Sequence, residues 1–152
     1  MFFSNLTLLH NNFIYYFFQS ITYYIENEVE RMKKDILAVD DDTDILHSVK
    51  DIFEHQGHEV FTVSNGFECI QELENGFNGI ILLDIMMPGM DGWDTIKEIV
   101  RKGLDKNVEI LIITAIGTSD HDKMYGVESY IHDYIIKPFN VKDLVESVEK
   151  IH

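Results

Sequence analysis

The sequence contains little cysteine, little proline and few basic side chains. Its 152 residues include one cysteine and two prolines, and 12 Lys or Arg stand against 27 Asp or Glu, for a formal net charge of -15. A single cysteine, Cys69, excludes an internal disulfide and a cysteine-rich zinc site. The shortage of basic residues argues against nucleic-acid binding and against attraction to an anionic membrane surface. The hydrophobic fraction of 45% still predicts a globular core.

Charge is absent from the first 25 residues, which contain no Asp, Glu, Lys or Arg. The longest apolar run, residues 13–25, is interrupted by three polar residues and is shorter than the roughly 20 residues that a spanning helix needs. We therefore expect two parts: a hydrophobic, aromatic extension over residues 1–31 and one domain over residues 32–152. The extension is predicted to be non-essential, for example an over-long translation start. A membrane anchor and a helix packed on the domain are the alternatives.

Beyond Met32, short apolar runs alternate with amphipathic segments. The runs predict strands at residues 36–39, 59–63, 80–83, 108–113 and 134–136. The segments predict helices at residues 43–56, 67–75, 93–102, 119–126 and 141–151. Five such alternations predict an α/β fold in which right-handed crossovers build a parallel sheet with helices on both faces. The near-continuous apolar runs fit strands that are buried on both sides.

Four of these strands end in polar residues that carry chemistry: Asp40-Asp41-Asp42, Asp84, Thr114 and Lys137. Because ligands bind at the carboxyl ends of parallel strands, we expect these residues to share one pocket. Several carboxylates at one site repel one another unless a cation joins them, and oxygen ligands suit Mg²⁺. A lysine balances charge and can hold a phosphoryl oxygen. The set predicts a site for an aspartyl-phosphate intermediate.

The segments around these residues form recognisable motifs. They read Val39-Asp40-Asp41, Leu82-Leu83-Asp84-Ile85-Met86-Met87-Pro88-Gly89-Met90-Asp91-Gly92, Thr114-Ala115 and Lys137-Pro138-Phe139. Together and in this order they resemble the receiver domain of two-component response regulators, over about residues 34–151. The resemblance implies a flavodoxin-like, five-stranded parallel sheet in the order 2-1-3-4-5. It also implies a cytoplasmic signalling domain rather than a turnover enzyme.

The resemblance implies a role for each acid at the pocket. Asp84 would accept a phosphoryl group from a sensor histidine kinase. Asp40, Asp41 and Asp84 would hold Mg²⁺ together with the backbone carbonyl of Met86, and Asp41 is the favoured direct ligand of the acid pair. Lys137 would pair first with Asp84 and then with the phosphoryl group.

The resemblance also implies a conformational switch. Thr114 would hydrogen-bond the phosphoryl group, and Tyr134 matches the switch aromatic of the family. We expect an output surface around Tyr125, Tyr134 and Leu144. The alternative for Tyr134 is a purely structural role, since an aromatic residue in a strand is as often a buried core residue as a switch.

The expected partners follow from the same interpretation. Only 13 residues follow Phe139, so we expect no DNA-binding or enzymatic output domain and a stand-alone, chemotaxis-regulator-like receiver. Its output would be a protein target, or a phosphotransfer protein if the chain is a phosphorelay shuttle, and the sequence leaves both open. No nucleic-acid partner and no membrane association are expected.

Three other interpretations carry less weight. Haloacid-dehalogenase-type phosphatases use similar groups, but Thr43 stands one position early for their nucleophile motif and Asp84 precedes the threonine and the lysine. A pseudo-receiver would lack an acid or the lysine, and neither is missing. A calcium loop beginning at Asp40 would need glycine where Ile45 stands. Asp42 is instead expected to cap a helix.

Overall fold

The computed structural model describes residues 14–26, 33–115 and 124–151. The chain divides into two compact units, Met1–Lys33 and Lys34–His152. In the first unit, residues 14–26 form helix α1. Within the described ranges, no helix is both long enough and apolar enough to cross a membrane.

The second unit contains one sheet of five parallel strands. Their bounds are β1 Asp35–Val39, β2 Glu59–Val63, β3 Gly79–Leu83, β4 Val108–Thr114 and β5 Ile131–Ile136. The strand order is β2-β1-β3-β4-β5, which confirms the predicted fold class. Ile36 of β1 lies opposite Val60 on one side and Ile80 on the other, so β1 and β3 occupy the centre of the sheet.

The helices begin and end where the local chemistry predicts. Their bounds are α2 Thr43–Glu54, α3 Gly66–Glu74, α4 Gly92–Lys102 and α5 Val141–Glu149. Each begins after a side chain that accepts a hydrogen bond from an amide of the first turn: Asp42, Asn65, Asp91 and Asn140. The capping role predicted for Asp42 is confirmed. Gly103 ends α4 in the left-handed conformation, at φ 68°. The helix predicted over residues 119–126 falls mostly outside the described residues.

The core consists of two apolar layers, one on each face of the sheet. Successive strand residues alternate between them, as with Leu37 in one layer and Ile36 in the other. Helices α3 and α4 cover the first layer, and α2 and α5 cover the second. Cys69 lies in the first layer, where burial, with a smaller effect from the charge of Glu72, raises the pKa of its thiol to about 12. Cys69 is therefore a core residue and not a nucleophile.

Strand β5 differs from its prediction, because it begins at Ile131 and not at Tyr134. Its first half contains His132 and Asp133, which are exposed because β5 lies at the edge of the sheet. The pairing with β4 also shifts register between Ile110 and Leu111. An exposed, polar half-strand lacks the apolar run by which the other strands are recognised.

Lys34 connects the start of β1 to the end of α5. Its Nζ donates to the backbone oxygens of Val148 at 2.7 Å and Ile151 at 2.5 Å. The carbonyls at a helix C-terminus have no partner within the helix and carry partial negative charge, so an ammonium stabilises them. Lys34 therefore closes the second unit by joining its first residue to its last helix.

Replacing Lys34 with Met is expected to lower the free energy of unfolding by about 1–3 kcal/mol, because the variant loses charged hydrogen bonds to carbonyl groups. The measurement is urea unfolding followed by circular dichroism. Lys97→Met is the control, since Lys97 is an exposed lysine on α4. Equal stability of the two variants would contradict this role of Lys34.

His58 gives this connection a pH dependence. The Lys34 backbone N–H donates to its Nδ1 at 3.1 Å, which requires that nitrogen to be unprotonated. Burial, and then the charge of Lys34, lower the pKa of His58 in the folded chain. The unfolded chain therefore binds the proton more readily, and folding stability should fall as pH drops through about 6.5 and below.

We expect His58→Gln to remove this part of the pH dependence, because a glutamine oxygen accepts the same hydrogen bond and does not titrate in this range. Urea unfolding at pH 7.5 and pH 5.5 should give a smaller difference in stability for the variant than for the parent chain. The same difference in both proteins would show that His58 does not titrate on unfolding.

Candidate functional site

The predicted pocket residues lie at the carboxyl edge of the sheet. Backbone pairing continues one residue beyond the strands: the Asp84 N–H donates to the Val39 oxygen at 2.9 Å, and the Lys137 N–H donates to the Thr114 oxygen at 2.8 Å. Asp40 follows β1 directly and pairs in the same way with β2. The positions of these residues are therefore fixed by the sheet and not by mobile loops.

One ammonium group is shared by two buried carboxylates. The Nζ of Lys137 lies 2.5 Å from Asp40 Oδ2 and 3.0 Å from Asp84 Oδ2. The two acids are 4% and 5% exposed. Their other oxygens are also engaged, since Asp40 Oδ1 accepts the Asp42 N–H at 2.9 Å and Asp84 Oδ1 accepts the Met86 N–H at 3.1 Å. The contacts hold both carboxylates in defined orientations.

The protonation of this group follows from burial and charge together. Burial raises the pKa of Asp40, although its hydrogen bond with Lys137 opposes the change. Burial lowers the pKa of Lys137, but its hydrogen bonds and charge interactions with Asp40 and Asp84 outweigh that effect and raise it. Lys137 therefore carries its positive charge near neutral pH. One lysine cannot neutralise all the acids present.

The acids fit a divalent metal ion. Asp40, Asp41 and Asp84 each offer a carboxylate oxygen, and these atoms lie within 4.8 Å of one another. Asp41 is exposed while the other two acids are buried, so the cluster opens to solvent on one side. Three carboxylate oxygens beside one lysine suit a hard ion such as Mg²⁺. In the described ranges, this is the one group of acids, histidines or cysteines placed to hold a metal.

The backbone N–H of Met86 donates a hydrogen bond to the Asp84 carboxylate at the pocket. The role of the Met86 carbonyl as a metal ligand stays a prediction. The next residue, Met87, is buried in the first core layer. Gly92 allows α4 to begin against this loop, because a Cβ there would lie 2.5 Å from the Asp84 backbone oxygen.

The two predicted switch residues lie on neighbouring strands. Thr114 is buried at the end of β4, and Tyr134 lies opposite Ile112, two residues earlier on that strand. The Tyr134 hydroxyl donates to the sulfur of Met124 at 3.2 Å. Burial, and then the charge of Glu128, raise the pKa of that hydroxyl, so it stays a donor. Met124 was not singled out from the sequence, because nothing in the pattern relates it to Tyr134.

One residue of the expected output surface was wrongly placed. Leu144 is 0% exposed, since it lies on the inward side of α5 and packs in the second core layer. The large apolar side chains that are exposed in this part of the chain are Tyr125, Ile136 and Val141. Tyr125, which was predicted, is 82% exposed.

Comparison with known proteins agrees with these observations. A family model described as "Response regulator receiver domain" matches residues 36–149. The chain is 37% identical over 116 residues to the response regulator SaeR of Staphylococcus aureus strain USA300, which covers 76% of this chain and 49% of that protein. The chain thus spans about half the length of the curated relatives that it matches.

Solved structures give the same result. A response regulator receiver domain protein (CheY-like) from Methanospirillum hungatei JF-1 is 43% identical, with a TM-score of 0.72, and the match covers 76% of this chain and 90% of that one. The response regulator protein TrrA from Thermotoga maritima, solved in complex with Mg(2+)-BeF, is 32% identical, with a TM-score of 0.66 and coverage of 78% and 99%.

Proposed function

Because this chain belongs to the response regulator receiver domain family, we propose that it accepts a phosphoryl group on Asp84 from a sensor histidine kinase and signals to a protein partner. Receiver domains of this family act in two-component signalling. We place this step in the cytoplasm. The same membership argues against a haloacid-dehalogenase-type phosphatase. The domain forms and loses its own aspartyl phosphate, and it does not turn over an external substrate.

The observation that carries the proposal is the contact of one lysine with two buried acids beside a third, exposed acid. A structural ion pair needs one acid for one lysine. A surplus of carboxylate at a largely buried site is costly unless a cation binds there. Mg²⁺-dependent aspartyl phosphate chemistry supplies such a cation.

In the transfer step, a carboxylate oxygen of Asp84 attacks the phosphorus of a phosphohistidine. The new bond is P–O, the bond that breaks is P–N, and the departing imidazole takes a proton from water. Lys137 stays beside Asp84 and balances the phosphoryl oxygens as they arrive. Thr114 donates its hydroxyl to one of those oxygens.

Asp40, Asp41 and Asp84 are the residues that would hold Mg²⁺ in this site. When bound, the ion would neutralise negative charge on the phosphoryl oxygens beside the three carboxylates. The neighbour TrrA, which was solved with Mg(2+)-BeF, supports this assignment. Lys137 accounts for one positive charge among three carboxylates, which is why a second cation is needed.

The proposed switch starts from the present contacts of Tyr134. A phosphoryl group on Asp84 adds negative charge and acceptor oxygens that draw Thr114 inward. The space that this opens lets Tyr134 give up its hydrogen bond to Met124. The partner would then bind the surface that includes Tyr125, Ile136 and Val141, whose apolar side chains are exposed.

The experiment that tests the proposal uses the full chain, Mg²⁺ and acetyl phosphate, with intact-mass spectrometry. We expect addition of one phosphoryl group, absent in EDTA and mapped by peptide analysis to Asp84. Equal modification in EDTA would contradict the proposal. Transfer of the group to a histidine phosphotransfer protein would identify a shuttle in place of a switch.

We also propose that residues 32–152 carry this function and that residues 1–31 are not needed for it. A chain truncated to start at Met32 is expected to unfold cooperatively and to take phosphate at the rate of the full chain. The measurements are urea unfolding and the mass assay above. Loss of cooperative unfolding would show that the aromatic segment is part of the folded domain.

A further inference from the structure

The hydroxyl of Tyr134 contacts a sulfur atom. It donates a hydrogen bond to Met124 Sδ at 3.2 Å, and both side chains pack against the first core layer. A thioether sulfur is a weak acceptor. Burial, and then the charge of Glu128, raise the pKa of the hydroxyl, so it keeps its proton and remains a donor at neutral pH. Tyr134 is therefore held by a weak bond whose strength depends on the chemical state of one sulfur.

The backbone fixes the position of Met124 from its C-terminal side. The Val127 N–H donates to the Met124 oxygen at 3.1 Å, and Val127 is a core residue that is 3% exposed. The Tyr130 N–H continues the turn by donating to the Val127 oxygen at 3.0 Å. The turn therefore anchors Met124 to the core beside β5, the strand that contains Tyr134.

Met124 combines partial access to solvent with a defined contact. The structure describes four methionines, at positions 86, 87, 90 and 124. Met87 is buried, whereas Met86 is 53% exposed, and Met90 and Met124 are half-buried. Among these four, Met124 is the one whose sulfur accepts a hydrogen bond. A reagent that reacts with methionine sulfur would therefore alter the contact of Tyr134 directly only through Met124.

Oxidation would replace a weak acceptor with a stronger one. The sulfur lone pair attacks a peroxide oxygen, an S–O bond forms and the O–O bond breaks. The sulfur loses two electrons and the peroxide gains them. With hydrogen peroxide, the departing hydroxide takes the proton of the transferred oxygen and leaves as water. The product, methionine sulfoxide, is polar, and its oxygen accepts a hydrogen bond better than a thioether sulfur does.

We propose that Met124 is an oxidation site at which a hydroperoxide converts the sulfur to a sulfoxide, and that the sulfoxide oxygen then holds Tyr134 in its present position. Methionine has three rotatable bonds, so its side chain can turn the added oxygen toward the hydroxyl. The regulatory effect rests on the proposed function, in which Tyr134 gives up its bond to Met124 after phosphorylation of Asp84. Oxidation and phosphorylation would then act on one side chain in opposite directions.

The test uses the full chain, with hydrogen peroxide as the oxidant and Mg²⁺ with beryllofluoride as the phosphoryl mimic. Peptide mass spectrometry measures oxidation at each methionine, and we expect Met124 to oxidise faster than the buried Met87. Oxidation alone should shift the NMR signals of Tyr134. It should also raise the beryllofluoride concentration that gives half of the full spectral response by about fivefold or more.

Two variants separate this effect from oxidation elsewhere. Met124→Leu has no sulfur at this position but keeps the exposed Met86, so peroxide should leave its response to beryllofluoride unchanged. Tyr134→Phe keeps the ring and loses the hydroxyl, so oxidation of Met124 in this variant should also leave the response unchanged. The backbone amide signal of Thr114 reports the response in both variants and in the parent chain.

Four results would count against the proposal. Loss of response in oxidised Met124→Leu would place the effect at another methionine. An equal loss in oxidised Tyr134→Phe would show that the hydroxyl is not the group that is held. If Met124 oxidised no faster than Met87, or if oxidation without Mg²⁺ and beryllofluoride left the Tyr134 signals in place, the modification itself would be excluded.

Failure of the proposed function has a different signature. A reduced parent chain that does not respond to Mg²⁺ and beryllofluoride would contradict that function, and with it the regulatory effect of oxidation. The shift of the Tyr134 signals on oxidation needs neither Mg²⁺ nor the mimic. It therefore tests the contact between the sulfoxide and the hydroxyl separately.

Discussion

Replacing Asp84 with Asn is expected to abolish phosphorylation of the chain by acetyl phosphate and Mg²⁺. The amide is nearly the same size as the carboxylate but has no anionic oxygen to attack phosphorus. The substitution also removes one of the three carboxylates whose oxygens can reach a shared cation. Intact-mass spectrometry should show full modification of the parent chain and none of the variant over the same time.

The control for this result is Asp51→Asn, an exposed carboxylate on α2 that undergoes the same chemical change. It should take phosphate like the parent chain. Asp84→Asn should remain folded, because Lys137 keeps its bond to Asp40 and one buried negative charge is removed. Phosphate found on a folded Asp84→Asn variant would place the acceptor elsewhere.

The meeting of Asp40, Asp84 and Lys137 could be predicted from the sequence although the lysine lies 97 positions from the first acid. Apolar runs identify the strands, and parallel pairing brings their carboxyl ends to one edge, so a residue that follows each run has a known place. Backbone pairing continues into the site residues themselves, so the sheet fixes the backbone position from which each side chain extends.

Other features depended on packing that no local pattern encodes. The contact of Lys34 with Val148 spans 114 positions, and nothing in either segment indicates the other. Leu144 is a different case: the apolar pattern of α5 groups it with Val148, and both pack in the core, so its place on the expected output surface did not follow from that pattern. Sequence patterns thus predict backbone positions better than the orientation of single side chains.

Lys137→Met is expected to destabilise the domain strongly in EDTA, by about 3–5 kcal/mol, because it leaves two buried carboxylates facing each other without a cation. The loss of stability should be greatest at pH values where both acids are ionised. It should become smaller as pH falls, because burial raises the pKa of Asp40 and protonation of that carboxylate removes the repulsion. Urea unfolding in EDTA at two pH values measures both effects.

Mg²⁺ should stabilise Lys137→Met more than it stabilises the parent chain, because the ion supplies the positive charge that the variant lacks and binds only the folded acid cluster. Lys137→Arg is the matched control. It keeps the charge, so its stability in EDTA should stay near that of the parent, but a planar guanidinium does not reproduce a compact ammonium between two acids. We therefore expect the arginine variant to accept phosphate and fail to bind the output partner. If Lys137→Met were as stable as the parent in EDTA at neutral pH, the two carboxylates would not be ionised together, and the charge argument for a metal at this site would fail.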